Sequence, residues 1–276
     1  MITCSTIDKH GIRGHYNLST LFYRLLWGPH IHHGLWEADE SPRHAQLQLT
    51  ERLANLAAIS GTRVLDVGCG MGASSIHLAK TRGCHAVGIT ISPVQRLWAA
   101  LSARWHRVNS QTEFLSADAE SVDFLAQSFD VVWSVECTEH LFDKPRFFAR
   151  AADWLKPGGT IAICAWLAGD QLSDAQSQQV YDVCEGFLCP SLGSRQDYVD
   201  WMQVAGLTIL TTEDWTARVT RTWEICRDRV QRSGVRSLAR IIDRDTVLFL
   251  DRFDAILAAY RSGAMKYGCF VARKPL

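Results

Sequence analysis

The chain has 276 residues, 47% apolar and 21% charged, which excludes a disordered or fibrous protein and leaves room for one large α/β domain or a domain with a cap. Lysine plus arginine and aspartate plus glutamate number 29 each, so no net field draws the whole chain to nucleic acid or to an anionic membrane. No apolar run reaches transmembrane length; the expected partner is a small molecule, with no nucleic acid and no membrane span.

The stretch Met1 to His15 is polar and lacks the apolar core of a secretory signal. The nine cysteines are scattered, as at Cys164 and Cys269, and none forms a C-x-x-C pair. They read as reduced thiols in a cytoplasmic protein. Residues 15–36 carry Tyr16, Tyr23, Trp27, His30, His32, His33 and Trp36 in a helix-then-loop pattern. The histidine cluster itself holds no acid or cysteine, so no metal is expected there; such a segment suits a lid over a ligand. Ten tryptophans divide between ordinary core and the wall of an aromatic cavity. Pro42 to Ser60 spaces Leu47, Leu49, Leu53, Leu56 and Ile59 as an amphipathic helix.

Residues 62–72 read Thr-Arg-Val-Leu-Asp-Val-Gly-Cys-Gly-Met-Gly. A β-branched run ends in an acid, three alternating glycines follow, and a helical segment runs from Ala73 to Lys80. Strand, tight turn and helix N-terminus are how α/β proteins build a nucleotide pocket. The glycines allow close backbone approach and positive φ. A dinucleotide site needs G-x-G-x-x-G and an acid about 20 residues later, yet no Asp or Glu occurs from Val67 to Thr112. The Gly-Lys-Ser/Thr ending of a phosphate-binding loop is missing too. An uncharged loop beside the carboxylate of Asp66 suits a zwitterionic, cationic nucleoside. S-adenosylmethionine is such a ligand, with Gly68 and Gly70 against it and Cys69 a small filler in the loop.

From Thr62 onward, strand-like segments at 62–67, 85–91, 112–117, 129–136, 159–166, 207–212 and 266–273 alternate with helical ones at 73–81, 93–107, 120–127, 144–155 and 195–205. This predicts an α/β fold with a mostly parallel sheet and helices on both faces. Ser92, Pro93 and Gln95 form a capping box for the helix that follows the second strand. Thr90, Ile91 and Gln95 also stand where the missing acid would meet ribose hydroxyls. Asp118 and Ala119 follow the third strand, placed to meet an adenine amino group and ring nitrogen; a helix N-cap is the plainer reading of Asp118. Residues 167–194 and 213–263 are longer than simple crossovers. The second ends in a helix marked by Val247, Leu250, Phe253, Leu257 and Tyr260. Inserts after strand ends lie on the ligand side and would roof the pocket, unless they serve stability alone. The expected organisation is one structural domain: an N-terminal helical lid at 1–60, a cofactor-binding core at 61–166, and the remaining sheet with helical cap inserts at 167–276.

Together these residues resemble the class I S-adenosylmethionine-dependent methyltransferases, and within them the tocopherol methyltransferases and their small-molecule relatives. Trp27-Gly28-Pro29-His30-Ile31-His32-His33-Gly34 is similar to that group's N-terminal signature. Trp133-Ser134-Val135-Glu136-Cys137-Thr138-Glu139-His140, with Asp143-Lys144, is similar to its segment after the fourth strand, and Leu155 to Thr160 to its turn before the fifth. Asp197-Tyr198, Ala205-Gly206-Leu207, Glu213-Asp214-Trp215 and Gly263 to Pro275 also fit, so the resemblance runs from about residue 15 to the C-terminus. It implies a Rossmann-like seven-stranded sheet whose last strand is antiparallel between its neighbours. It implies S-adenosylmethionine as cofactor, held by Asp66, Gly68, Gly70, Thr90, Gln95, Asp118, Ala119 and Ser134. The basic run Arg218 to Arg229 and the absence of a plastid transit segment depart from the plant enzymes, which leaves the reaction class, and not tocopherol itself, as the expectation.

In-line displacement of an activated methyl asks chiefly for alignment and dehydration, and orientation supplies about 7–11 kcal/mol. A base adds about 10²–10⁴-fold where the acceptor must lose a proton. His140, supported by Glu136 or Glu139, is the candidate; a structural histidine closing the cofactor pocket is the alternative. Tyr16, Tyr23, Trp27, His30, His33, Trp36 and Trp166 are expected as lid and acceptor contacts, their aromatic faces favouring a sulfonium. The expected acceptor is small and largely apolar, a phenolic or prenylated ring methylated at carbon or oxygen in secondary or isoprenoid metabolism. A small amine or indole nitrogen comes second. A fold diverted to binding or to non-methylating cyclisation is the rival of another class, and an NAD-dependent oxidoreductase is disfavoured by the missing acid.

Overall fold

The computed structural model describes residues 1–232 and 252–276. Two short strands, β1 (Ile2–Thr3) and β7 (Ser191–Leu192), pair antiparallel and tie the N-terminus to the first insert. Seven others form one sheet: β2 (Arg63–Val67), β3 (His85–Thr90), β4 (Thr112–Ser116), β5 (Phe129–Val135), β6 (Leu155–Ala168), β8 (Thr208–Asp214) and β9 (Met265–Arg273). Their spatial order is β4-β3-β2-β5-β6-β9-β8. The strands from β4 to β6 are parallel, and β9 runs antiparallel to both β6 and β8, as the resemblance implies. The chain leaves β2 in one direction for β3 and β4, then returns to the other side for β5. That reversal opens a crevice at the carboxyl ends of β2 and β5.

Period-two alternation sends the central strands into two cores. Val64, Trp133, Cys164 and Val271 face α2 (Pro42–Leu56), α6 (Asp174–Gly186), α9 (Arg221–Arg232) and α10 (Phe253–Ser262). Leu65, Val132, Ile163 and Phe270 face α5 (Lys144–Trp154) and α7 (Arg195–Val204). A third, smaller cluster joins α3 (Ala73–Arg82) and α4 (Pro93–Trp105) through Ile76, Ala99 and Phe114. The N-terminal helix α1 (Lys9–Leu26) packs across the crevice end of α4, and a single turn, α8 (Thr216–Val219), precedes α9.

Several expected boundaries move for local reasons. Residues 120–127 form turns, not a helix, because Arg150 of α5 donates to the carbonyls of Glu120 and Val122, taking acceptors a helix would need. The helix expected to Ser60 stops at Leu56, where Ala58 takes φ 50° and the Ile59 amide turns back to Ala54. The strand expected at 159–166 spans Leu155–Ala168, and its Lys-Pro-Gly-Gly segment becomes a register shift against β5. Phe253, Leu257 and Tyr260 are buried on α10; Val247 and Leu250 lie outside the described residues. The basic run of 218–229 is partly neutralised, Arg218 by Glu37 at 2.7 Å and Arg221 by Asp39 at 2.9 Å.

Candidate active site

The crevice holds a cavity of about 760 Å3, counting its open mouth, walled by α1, the glycine loop and the ends of β3, β4 and β5. Of the residues expected to hold a cofactor, Gly68, Gly70, Thr90, Ile91, Gln95, Asp118 and Ala119 line it. Asp66 and Cys69 line a neighbouring recess, with Gly68, Gly70, Ala73, Ser74 and His30, at the start of α3. Ser134 does not reach either: it is fully buried and its hydroxyl donates to the Val67 carbonyl at 3.1 Å, tying β5 to β2.

Three observations test whether these residues fit S-adenosylmethionine. The first is glycine geometry. A Cβ on Gly68 would lie 2.3 Å from Cys137, and one on Gly72 2.8 Å from Ala99, so both are glycines for protein packing at positive φ. Gly70, at φ 53°, has nothing within 4 Å of that position and presents bare backbone to open space. The second is an orphan donor. Thr90 Oγ1 donates to Gln95 Oε1 at 3.0 Å, while Gln95 Nε2 is buried with no partner among the described residues. That atom needs an acceptor, which a ribose or purine supplies. It also means the capping box is half formed: Ser92 accepts from the Gln95 amide, but the glutamine side chain turns to Thr90. The third is Asp66, 2% exposed, whose Oδ2 accepts from Ser75 Oγ at 2.5 Å. Burial pushes its carboxyl up to about 6 against the opposing hydrogen bond from Ser75. A buried carboxyl with no cationic partner among the described residues fits an incoming ammonium. The residues therefore fit the cofactor.

Asp118 is less free than the sequence implied. Lys9 donates to its Oδ2 at 2.6 Å and the Glu120 amide to its Oδ1 at 2.9 Å. Lys9 also meets Glu120 at 2.8 Å, so it latches α1 over the Asp118 end of the cavity. Nothing in the polar N-terminal sequence singled out this lysine; the long-range pairing creates its role.

A second cavity of about 500 Å3 opens beyond the first. The two share Tyr16, Ile31, Glu136 and His140 in their walls. Tyr23, Trp27, His33 and Trp166, the expected lid and acceptor contacts, are in the wall of the second, with Phe187, Cys189 and Trp223 from the two inserts. Trp36 is not: its indole donates to Thr222 Oγ1 at 3.0 Å and its face lies 4.8 Å from the Arg221 guanidinium, behind the wall. The lining of this second cavity is mixed: the rings of Tyr23, Trp27, Trp166, Phe187 and Trp223 stand beside the acids Glu136 and Glu139 and the imidazoles of His32, His33 and His140.

The acids and histidines divide into two networks. His33 donates its amide to Glu136 Oε1 at 2.7 Å, and its Nδ1 lies 2.9 Å from the same oxygen. The indole of Trp223 donates to His33 Nε2, so Nδ1 carries the proton that faces Glu136. Tyr267 donates to Oε1 at 2.7 Å and the Trp166 indole to Oε2 at 3.0 Å. Burial raises the Glu136 carboxyl, but His33 overrides it and holds the acid well below its ordinary range. Glu136 itself sits at φ 53°, a conformation that a non-glycine keeps only where contacts enforce it. This carboxylate, with three donors on Oε1 and one on Oε2, clamps the histidine loop onto β5, β6 and β9. Glu136→Ala is expected to cost about 3–5 kcal/mol of stability by leaving its donors unpaired, read by urea unfolding. In the same loop His30 Nδ1 meets His32 Nε2 at 3.1 Å and His32 Nδ1 donates to the His33 carbonyl at 2.7 Å. Burial lowers both imidazoles, and among the described residues no group is arranged to hold a metal.

His140 and Glu139 form the other network. The Leu188 carbonyl, 2.9 Å from His140 Nδ1, only accepts, so Nδ1 bears the proton and Nε2 accepts from the Tyr16 hydroxyl at 2.8 Å. Burial lowers this imidazole to about 4. Neither Glu136 nor Glu139 is its hydrogen-bond partner; a backbone carbonyl orients it. Glu139, 1% exposed, accepts from the Trp166 amide through Oε1 at 2.5 Å. Its Oε2 is buried with no partner among the described residues, and the residue contributes to the wall of the second cavity. Burial pushes this carboxyl up to about 8.

Comparison with known proteins agrees with this geometry. A family model described as a methyltransferase domain matches residues 41–212. The tocopherol O-methyltransferase, chloroplastic, of Arabidopsis thaliana is 30% identical, over 97% of this chain and 83% of its own length. The 27-O-demethylrifamycin SV methyltransferase of Amycolatopsis mediterranei is 31% identical, over 91% of this chain and 92% of its own. The solved structure of a 4+2 cyclase, SpnF, superposes with a TM-score of 0.86 at 23% identity, over 99% of this chain and 98% of that one, a likeness of fold alone. The chain belongs to the class I S-adenosylmethionine-dependent methyltransferases, in their tocopherol methyltransferase-like group.

Proposed function

We propose that the enzyme methylates a ring carbon or hydroxyl of a small, largely apolar phenol carrying an isoprenoid substituent. The observation that carries this reading is the second cavity, walled by Tyr23, Trp27, Trp166, Phe187 and Trp223 and joined to the cofactor cavity at Tyr16 and His140. A relative named for tocopherol, itself a prenylated phenol, supports the same class. Nine unpaired cysteines support a reducing compartment such as the cytoplasm.

S-adenosylmethionine supplies a methyl group already activated on a sulfonium. Asp66, Gly70, Thr90, Gln95, Asp118 and the start of α3 hold it, and Lys9 keeps α1 closed over it. Tyr16 and His140 stand at the seam of the two cavities and orient the acceptor toward the methyl; burial keeps the Tyr16 proton in place. The aromatic wall excludes water. Glu139 takes the phenolic proton on Oε2, which makes the oxygen, and by conjugation the ring carbons, nucleophilic. His140 is in this scheme a positioning group, because an imidazole lowered to about 4 is a weak base.

The test is release of S-adenosylhomocysteine with a panel of prenylated phenols, unprenylated phenols, small amines and indoles. Turnover is expected with the prenylated phenols above all others. Preferred turnover of an amine or indole sinks the reading. His140→Ala is expected to lower kcat about ten- to hundredfold, from the loss of one buried hydrogen-bonded contact worth about 1–3 kcal/mol, with cofactor affinity nearly unchanged by calorimetry. Equal losses in both would make His140 part of the cofactor pocket.

A further inference from the structure

Two helices beside the cavities expose a surface that the fold does not require. On α1, Leu18 and Leu25 are 74% and 76% exposed, with Leu21 between them. On α4, Leu97 and Leu101 are exposed and Trp105 is 85% exposed. Spacings of three and four put each trio on one outward stripe. The opposite faces are occupied: Tyr16 of α1 and Gln95 of α4 wall the cofactor cavity. The helices meet, Ser92 Oγ at the cap of α4 donating to Asn17 Oδ1 of α1 at 2.7 Å. Arg13, Arg24 and Arg104 are exposed around the stripes, Arg96 is half-buried, and Arg107 follows α4. Neither helix contains an Asp or Glu, although the chain as a whole has no net charge.

We propose that this α1–α4 face docks on the surface of an anionic lipid bilayer. Apolar side chains ringed by arginines, with a tryptophan at the edge, match the acyl boundary, the lipid phosphates and the headgroup layer in turn. Among the described residues no helix is long and apolar enough to cross a membrane, so the contact is peripheral. A second copy of the chain fits the face poorly. A two-fold contact would bring the patch against itself, apposing the arginines of both copies with no acid on either helix to offset them. Docking brings the α1 side of the cavities to the layer in which an apolar acceptor dissolves. That consequence rests on the proposed acceptor; the docking itself does not.

Vesicle flotation of the full chain tests it, with phosphatidylcholine alone and with phosphatidylcholine containing phosphatidylglycerol. Partition is expected with the anionic vesicles and not the neutral ones, and it should fall as salt rises. Arg24→Glu with Arg104→Glu is expected to lower it by about 25-fold or more, at roughly fivefold per basic residue. Trp105→Ala should lower partition too, without changing melting temperature or S-adenosylhomocysteine release on a water-soluble acceptor. Equal partition of wild type and the double arginine variant, or no partition of the wild type at low salt, overturns the proposal. So does a dimer in sedimentation velocity that Trp105→Ala dissolves, because a second copy would then cover the face. Methyl transfer in detergent-free buffer is read separately, so failure of docking and failure of the acceptor assignment are distinguishable.

Discussion

Glu139→Gln is expected to cut kcat on a phenolic acceptor by about 10²–10⁴-fold while making the folded enzyme more stable at alkaline pH. Both effects come from one buried carboxyl. Its Oε1 is used by the Trp166 amide, and its Oε2 has no partner among the described residues. Burial lifts it from an ordinary 4.5 to about 8. Between those values the folded chain holds a proton that the unfolded chain has released. The stability Glu139 contributes is therefore full below the ordinary value and is lost as pH rises through 8, at a slope of up to about 1.4 kcal/mol per unit. Glutamine keeps the shape, removes the titration and flattens that loss.

For catalysis the same elevation is useful. A phenol titrates near 10, so a carboxylate at about 8 faces a mismatch of roughly two units. His140, at about 4, would face roughly six, an uphill transfer of about 8 kcal/mol at 1.36 per unit. The kcat of the wild type should rise with pH toward 8 and level off; the variant should be flat and slow. Rate profiles from pH 6 to 9, with urea unfolding at the same pH values, measure both. A variant within tenfold of wild type, or a wild-type profile flat across this range, would return the proton to His140.

Local chemistry made most of this fold legible. The glycine loop announced the crevice because a β-branched strand, an acid and alternating glycines constrain backbone within a few residues of one another. The sheet followed from alternation, and the antiparallel last strand from resemblance. What escaped depends on distant partners. Residues 120–127 have helical composition, but Arg150 in another element takes their carbonyls. Glu136 and Glu139 are three residues apart with the same side chain. One accepts from His33, Trp166 and Tyr267; the other keeps a buried oxygen with no partner among the described residues. No sequence pattern separates them, because the donors come from the histidine loop, β6 and β9. Ser134 and Trp36 stand outside the linings of the two cavities for a like reason: each has a protein partner behind the wall. A neutral total charge likewise conceals an acid-free pair of neighbouring helices.

Asp66→Asn is expected to weaken S-adenosylmethionine binding by on the order of 10²-fold or more, because it removes one partner of a buried charge pair worth about 3 kcal/mol or more. The wild type should also show a pH dependence that the variant lacks. Asp66 must be ionised to meet an ammonium, and burial holds it at about 6. Affinity should therefore fall about tenfold per unit below pH 6 and be level above it. Stability of the cofactor-free chain runs the other way. A carboxyl raised above its ordinary 3.8 contributes stability that is full below that value and is lost as pH rises through 6. The asparagine variant should match the wild type near pH 4 and exceed it at pH 8, while binding poorly at both. Ser75 keeps a partner in the amide oxygen, so misfolding does not explain the loss. Calorimetric titration from pH 5 to 8 decides the matter. Unchanged affinity moves the methionine end of the cofactor away from the glycine loop. A pH dependence that survives in Asp66→Asn would assign the titration to another group. The opposed trends are the physical signature of a binding residue: a buried charge that costs stability alone and is offset by its ligand.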